Sequence, residues 1–153
     1  MIINEILANE PGSDTAGEFI ELVNVGPTTV DLGGWTLSDG QAVRHIFASS
    51  TTVQPGKAIV VFGASAALPA GLSNAVAAST STLSLANGGD SVTLRDATGS
   101  TVQAFTYGSS LANTDGVSMN RSPDGSSTGG FVRHDSLSTL PRSAGVRAND
   151  TAW

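Results

Sequence analysis

The segment Gly17-Glu18-Phe19-Ile20-Glu21-Leu22-Val23-Asn24-Val25 constrains the fold more than any other stretch. Its β-branched and aromatic residues, bounded by Gly17 at one end and Gly26-Pro27 at the other, read as a strand. Alternate side chains of a strand point to opposite faces. Phe19, Glu21, Val23 and Val25 therefore share one face, and Glu18, Ile20, Leu22 and Asn24 the other. Both faces carry apolar residues, so the strand must lie inside a sheet that is covered on two sides. Ala58-Ile59-Val60-Val61-Phe62, a continuous apolar run, makes the same demand.

The rest of the chain supplies neighbours for these two strands. Residues 2–8 read as a strand with Ile2, Ile6 and Ala8 on one side and Ile3 and Leu7 on the other, ended by the turn Glu10-Pro11-Gly12-Ser13-Asp14. Val30-Asp31-Leu32 and Trp35-Thr36-Leu37 give two short strands broken by Gly33-Gly34, and residues 43–47 another. A Pro55-Gly56 turn opens the apolar run. Residues 63–82, rich in Ala, Ser and Gly and interrupted by Pro69, read as a surface loop. Beyond Asn87-Gly88-Gly89, residues 90–96 and 102–107 form a hairpin around Ala97-Thr98-Gly99-Ser100. Residues 117–121 and 131–133 read as late strands separated by Ser122-Pro123-Asp124-Gly125.

About nine or ten short strands with no helix of normal length predict an all-β antiparallel sandwich or barrel. Its core is expected to include Phe19, Leu22, Trp35, Val60, Phe62, Val92, Leu94 and Phe105. Trp35, set between Leu32 and Leu37, is expected inside, where truncation to Ala would cost about 3–5 kcal/mol. Residues 1–148 are expected to form one domain and 149–153 a tail or linker remnant, with Trp153 exposed.

Composition limits the function. The 153 residues carry 13 acidic and 7 basic side chains, net −6, with Lys57 the single lysine. Scattered arginines in an acidic chain do not make a phosphate-binding surface, so no nucleic-acid partner is expected. No apolar run reaches the ~20 residues of a membrane helix, and Met1 leads directly into a strand pattern, without a signal-peptide pattern. Cysteine is absent, which removes disulfides and thiolate metal sites. The chain is expected to be a segment of a larger secreted or surface protein and a monomer.

No motif carries catalysis. Gly89-Asp90-Ser91-Val92 is similar to the nucleophile block of Gly-Asp-Ser hydrolases, but those need an α/β layer fold that this chain has no helices to build; it reads as a turn entering a strand. His45 and His134, each beside an arginine, read as sheet-surface residues. Glu5, Glu18 and Glu21, with Asp14, form the densest acidic set, and a second oxygen-rich stretch is Asn113-Thr114-Asp115-Gly116 with Asp124-Gly125. Oxygen ligands suit Ca²⁺. Neither set has calcium-loop spacing, so charged strand edges paired with arginines are expected, no cofactor is assigned, and Glu18 and Glu21 stand as the calcium candidates.

Several motifs in fixed order resemble the lamin tail domain family: Ile3-Asn4-Glu5-Ile6, Gly17 through Asn24, Val30-Asp31-Leu32-Gly33-Gly34-Trp35-Thr36-Leu37, Pro55-Gly56 before an apolar strand, Asn87-Gly88-Gly89-Asp90-Ser91-Val92-Thr93-Leu94 and Ser118-Met119-Asn120-Arg121. The resemblance runs from about Ile2 to Ala148. It implies an immunoglobulin-like β-sandwich. In nuclear lamins that domain is a protein and chromatin interaction module; in bacteria similar domains sit in secreted or surface proteins, often beside nucleases or other hydrolases. This chain lacks coiled-coil heptads and a basic patch, so the filament and DNA-binding roles are not carried over. The resemblance implies a non-catalytic interaction or structural module of a bacterial extracellular or surface protein, binding protein partners through strand edges or loops. The alternative is a calcium-stabilised or carbohydrate-binding accessory domain of an extracellular hydrolase or nuclease.

Overall fold

The computed structural model describes residues 1–12 and 15–153. Among them are twelve strands: β1 (Ile2–Leu7), β2 (Phe19–Val23), β3 (Val30–Asp31), β4 (Thr36–Ser38), β5 (Val43–Ile46), β6 (Thr52–Val53), β7 (Ala58–Phe62), β8 (Ala75–Ala77), β9 (Gly89–Arg95), β10 (Thr101–Gly108), β11 (Met119–Ser122) and β12 (Gly130–Arg133). They form a six-stranded sheet in the order β12-β11-β1-β2-β7-β8, a four-stranded sheet β10-β9-β4-β5, and the small pair β3-β6. This is the expected immunoglobulin-like sandwich. The expected turn at 10–14 extends into Ser13 and Asp14, which lie outside the described residues, and so does Asp14's part in the acidic set.

The two-faced strands sit at the centre of the larger sheet. β2 pairs with β1 on one side and β7 on the other, with Phe19 opposite Phe62 and Leu22 opposite Ile59. Ile20, Leu22, Ile59 and Val61 face the smaller sheet, where Leu37, Val92 and Leu94 meet them. Phe19, Val60 and Phe62 face outward, yet Leu68, Leu72 and Ala144 cover them. A second outer cluster joins Ile2, Val23 and Ala58 to Trp153. The larger sheet is thus buried on both faces, by a sheet on one side and by loops and the C-terminal segment on the other.

Four expectations change. β1 does not alternate regularly: its register against β2 shifts between Ile3 and Glu5, so Asn4 is the extra residue of a bulge. Ile3 and Ile6 consequently both enter the inner core, while Ile2 and Leu7 pack outside. Residues 63–82 are not all loop, because β8 adds to β7 as a parallel edge strand. Trp35 and Phe105 are half-buried and only pack against the core, whereas Phe19, Leu22, Val60, Phe62, Val92 and Leu94 are buried. Finally, residues 149–153 are not a loose tail: Ala152 bridges Val146, and Trp153 is 9% exposed.

Candidate functional site

The outer face of β1 and β2 carries a polar layer that sequence reasoning did not foresee. Glu5 and Glu21 are cross-strand neighbours, and both are fully buried. Among the described residues no arginine forms an ion pair with them. Glu5 Oε1 accepts from Ser118 Oγ (2.6 Å) and from the Ser143 backbone N–H (2.8 Å), while Oε2 accepts from Ser143 Oγ (2.7 Å). Glu21 Oε1 accepts from Asn4 Nδ2 (3.0 Å), and Oε2 from the Gly145 N–H (2.8 Å) and Trp153 Nε1 (3.3 Å). The C-terminal segment therefore crosses the sheet face as a strap, attached through its N–H groups to two carboxyls.

Asp124 extends the layer. Its Oδ1 accepts from Asn4 Nδ2 (2.9 Å) and Asn120 Nδ2 (3.1 Å), and its Oδ2 from the Ala148 N–H (2.9 Å). The bulged Asn4 accepts in return from the Gly125 N–H (2.9 Å). Trp153 closes the strap, with the Arg147 guanidinium 4.2 Å from its ring centroid and Lys57 Nζ donating to its carbonyl (2.5 Å).

Removing a carboxylate from water disfavours its charge. Burial raises the Glu21 pKa to about 8, with the charge of Glu5 adding to the effect against the hydrogen bonds from Asn4, Gly145 and Trp153. Burial also raises Glu5. His134 lies next in line: Nδ1 donates to the Leu140 carbonyl (2.8 Å) and Nε2 lies 2.9 Å from Ser143 Oγ. Ser143 Oγ thus links the His134 ring to the Glu5 carboxyl.

The calcium candidates do not come together. Glu21 faces outward into this layer. Glu18, of opposite parity, is 1% exposed and accepts through Oε1 from the Leu85 N–H (3.1 Å); burial raises its pKa to about 7, and Glu10 adds to this. Among the described residues no group of three or more His, Cys, Asp or Glu side chains is placed to hold a metal ion. Asp124, from the second oxygen-rich set, is committed to the strap. The expected arginine partners are elsewhere: among the described residues the ion pairs are Arg44 with Asp39 and Arg133 with Asp135.

Neither histidine lies on the surface. His134 is fully buried directly after β12, and His45 on β5 is buried edge-on against Phe47, with its ring centroid 4.4 Å away and its pKa lowered by burial to about 4. Ser91 lies within the β9–β10 ladder opposite Thr106, as a strand entry should. A groove of about 620 Å³ runs beside the strap, lined by Thr52, Gln54, Ser73, Asn74 and Trp153. Among the described residues no helix is long and apolar enough to cross a membrane.

These polar groups are committed inside an immunoglobulin-like sandwich. The chain belongs to the lamin tail domain family: the Lamin Tail Domain family model matches residues 1–109. That match ends before β11 and β12, short of the span to about Ala148 over which motifs resemble the family. No curated protein matches the chain.

Proposed function

We propose that the chain is a non-catalytic interaction module of a larger bacterial secreted or surface protein, and that it binds a protein partner through an open strand edge. One observation carries this reading. Four groups that could do acid–base or nucleophilic chemistry are occupied within the fold: His134 bonds through both ring nitrogens, Glu5 and Glu21 hold the strap, and Ser91 sits within a strand ladder. Chemistry needs such groups at a solvent-reachable pocket. The test is twofold. The purified chain is assayed against ester, phosphoester, glycoside and nucleic-acid substrates, and is used as bait on an envelope fraction. Turnover of any substrate, or retention of no protein, counts against the reading.

A carbohydrate-binding accessory role has one observation in its favour, a groove beside the strap where Thr52, Gln54, Ser73 and Asn74 stand among apolar Val53, Ile59 and Val76. Against it, Trp153 gives its indole N–H to Glu21 and lies under Arg147, so its ring is not free to stack on a sugar. Calorimetric titration with oligosaccharides separates the two readings.

A further inference from the structure

A backbone nitrogen can attack the side-chain carbonyl of the residue before it when that residue is Asn or Asp. The reaction is easiest ahead of glycine, which has no side chain to shield its nitrogen and leaves the local backbone free to turn. The chain has eight asparagines, and Asn87 is the one followed by glycine. Three aspartates are also followed by glycine, in Asp39-Gly40, Asp115-Gly116 and Asp124-Gly125.

The fold treats these four pairs differently. In each aspartate pair the glycine N–H is taken by an acceptor elsewhere: Gly40 donates to Asp90 Oδ1 (3.0 Å), Gly116 to the Asn9 carbonyl (2.8 Å) and Gly125 to Asn4 Oδ1 (2.9 Å). The Gly88 N–H donates to no acceptor among the described residues. Ala86, Asn87 and Gly88 are exposed, and a Cβ added at Gly88 would meet nothing within 4 Å. The flanks of this turn are fixed. The Leu85 N–H bonds Glu18 Oε1 (3.1 Å), the Ala86 N–H bonds Asp90 Oδ2 (3.2 Å), and the Gly89 N–H closes the turn on the Ala86 carbonyl (3.1 Å). One exposed hydrogen bond restrains the asparagine side chain, from Asn87 Nδ2 to Asn9 Oδ1 (3.0 Å).

We propose that Asn87-Gly88 is a site of spontaneous modification, where the folded chain converts asparagine to aspartate and isoaspartate with water as the only co-reactant. The Gly88 nitrogen gives its proton to solvent base and bonds to Asn87 Cγ. The Cγ–Nδ2 bond breaks, and Nδ2 takes up a proton and leaves as ammonia. Water then opens the cyclic imide. Attack at Cγ breaks its bond to the Gly88 nitrogen and gives aspartate; attack at the Asn87 backbone carbonyl breaks the other bond and gives isoaspartate, in which the chain runs through Cγ. Both products lose the amide donor to Asn9 and add a negative charge beside Asp90 in a chain already at net −6. Isoaspartate also inserts a methylene between Ala86 and Gly89, against the hydrogen bond that leads the chain into β9.

The test is to hold the folded chain for days in neutral and in mildly alkaline buffer, beside a sample unfolded in guanidinium chloride, and to map peptides by mass spectrometry with fragmentation that separates isoaspartate from aspartate. Asn87 in the folded chain is expected to convert at a rate within about tenfold of the unfolded one. The rate should rise with pH, because the attacking nitrogen must lose its proton. Asp39, Asp115 and Asp124 should show no isoaspartate while the chain is folded. Gly88→Val places a branched side chain beside the attacking nitrogen and should slow conversion by about tenfold or more. The open space at Gly88 lets this variant fold, which a melting curve verifies. An Asn87 that stays an amide in the folded chain overturns the proposal. So does conversion that Gly88→Val leaves unchanged, since the backbone nitrogen would then not be the attacking group. Isoaspartate appearing in the folded chain as fast at the three aspartates as at Asn87 would overturn the role given to the free N–H.

Discussion

Stability should fall as pH rises through the neutral range, because Glu21 and Glu5 are buried side by side without a cation. A carboxyl whose pKa is higher in the folded chain keeps its proton where the unfolded chain has already lost it. Its contribution is full below the unfolded value of 4.5, declines as pH rises, and levels off once pH passes the folded value of about 8. His45 acts in the opposite sense, being lowered from 6.5 to about 4, but its effect is complete by pH 6.5. Above that point the raised carboxyls set the sign, and Glu5 acts in the same direction as Glu21. For Glu21, from 6.5 to its folded value is 1.5 units, or about 2 kcal/mol at 1.36 kcal/mol per unit. Glu18, raised to about 7, adds under about 1 kcal/mol after allowance for solvent screening. In a chain of this length, Tm should drop by about 4–8 °C between pH 6.5 and about pH 9. The Met1 amine, lowered by burial from 8.0, opposes this drop, so the decisive comparison is with Glu21→Gln. The variant loses stability at every pH because its amide N–H₂ faces a donor, but its Tm should fall less across the window, since only Glu5 and Glu18 still contribute. Calorimetric melts in buffers of low ionisation enthalpy measure both curves. Parallel curves for the two proteins would refute the buried-carboxyl argument.

Two further outcomes follow from side-chain placement. Leu94→Ala removes a fully buried side chain and should cost about 2–5 kcal/mol, whereas Trp35→Ala, at a half-buried position, should cost about 2–3 kcal/mol despite the larger side chain; denaturant titrations that find Trp35 the costlier site would place it deeper than its packing indicates. Millimolar Ca²⁺ added to chelator-stripped protein should leave Tm unchanged, since Glu18 and Glu21 lie on opposite faces of β2 and the Glu21 oxygens already accept three donors. A ligand of the folded state would raise Tm, and a clear rise would mean a cation site built from other oxygens.

What the sequence disclosed was local. Parity along β2 separated Phe19, Glu21 and Val23 from Ile20 and Leu22, and the structure keeps that division. The same parity divides Glu18 from Glu21, although both stood as the calcium candidates. The hairpin of β9 and β10 was legible from its turn residues and alternation. What escaped was non-local. The bulge at Asn4 leaves no mark in Ile2-Ile3-Asn4-Glu5-Ile6, because it is fixed by Glu21, Asp124 and Gly125. The strap lacks apolar periodicity since backbone N–H groups of Ser143, Gly145 and Ala148 do the holding, and their acceptors lie 138, 124 and 24 residues back in the chain. Acidic residues in strand patterns read as charged edges paired with arginines. Serine, glycine and tryptophan partners made them interior.

The family match ends at residue 109, but the physical unit does not. A chain cut there loses β11, which pairs with β1 and supplies Met119 to the inner core and Arg121 Nε to the bulged Ile3 carbonyl (2.6 Å). Phe105 loses Phe131, and Ile2, Val23 and Ala58 lose Trp153. Losing the packing of one buried Met and one buried Trp alone removes about 5–10 kcal/mol, comparable with the ~5–15 kcal/mol that holds a whole domain. Glu5 and Glu21 keep one donor between them, Asn4, whose own anchor Asp124 is gone. Residues 1–109 should therefore show no cooperative melt and no near-ultraviolet circular dichroism. Residues 1–148, which keep β11 and lack Trp153, should fold with Tm lowered by roughly 6–20 °C, for a cost of about 3–5 kcal/mol. Cooperative melting of the shorter chain near the parent's Tm would show that the matched segment folds alone and that the strap is ornament to it; loss of folding would make the C-terminal 44 residues part of the domain itself.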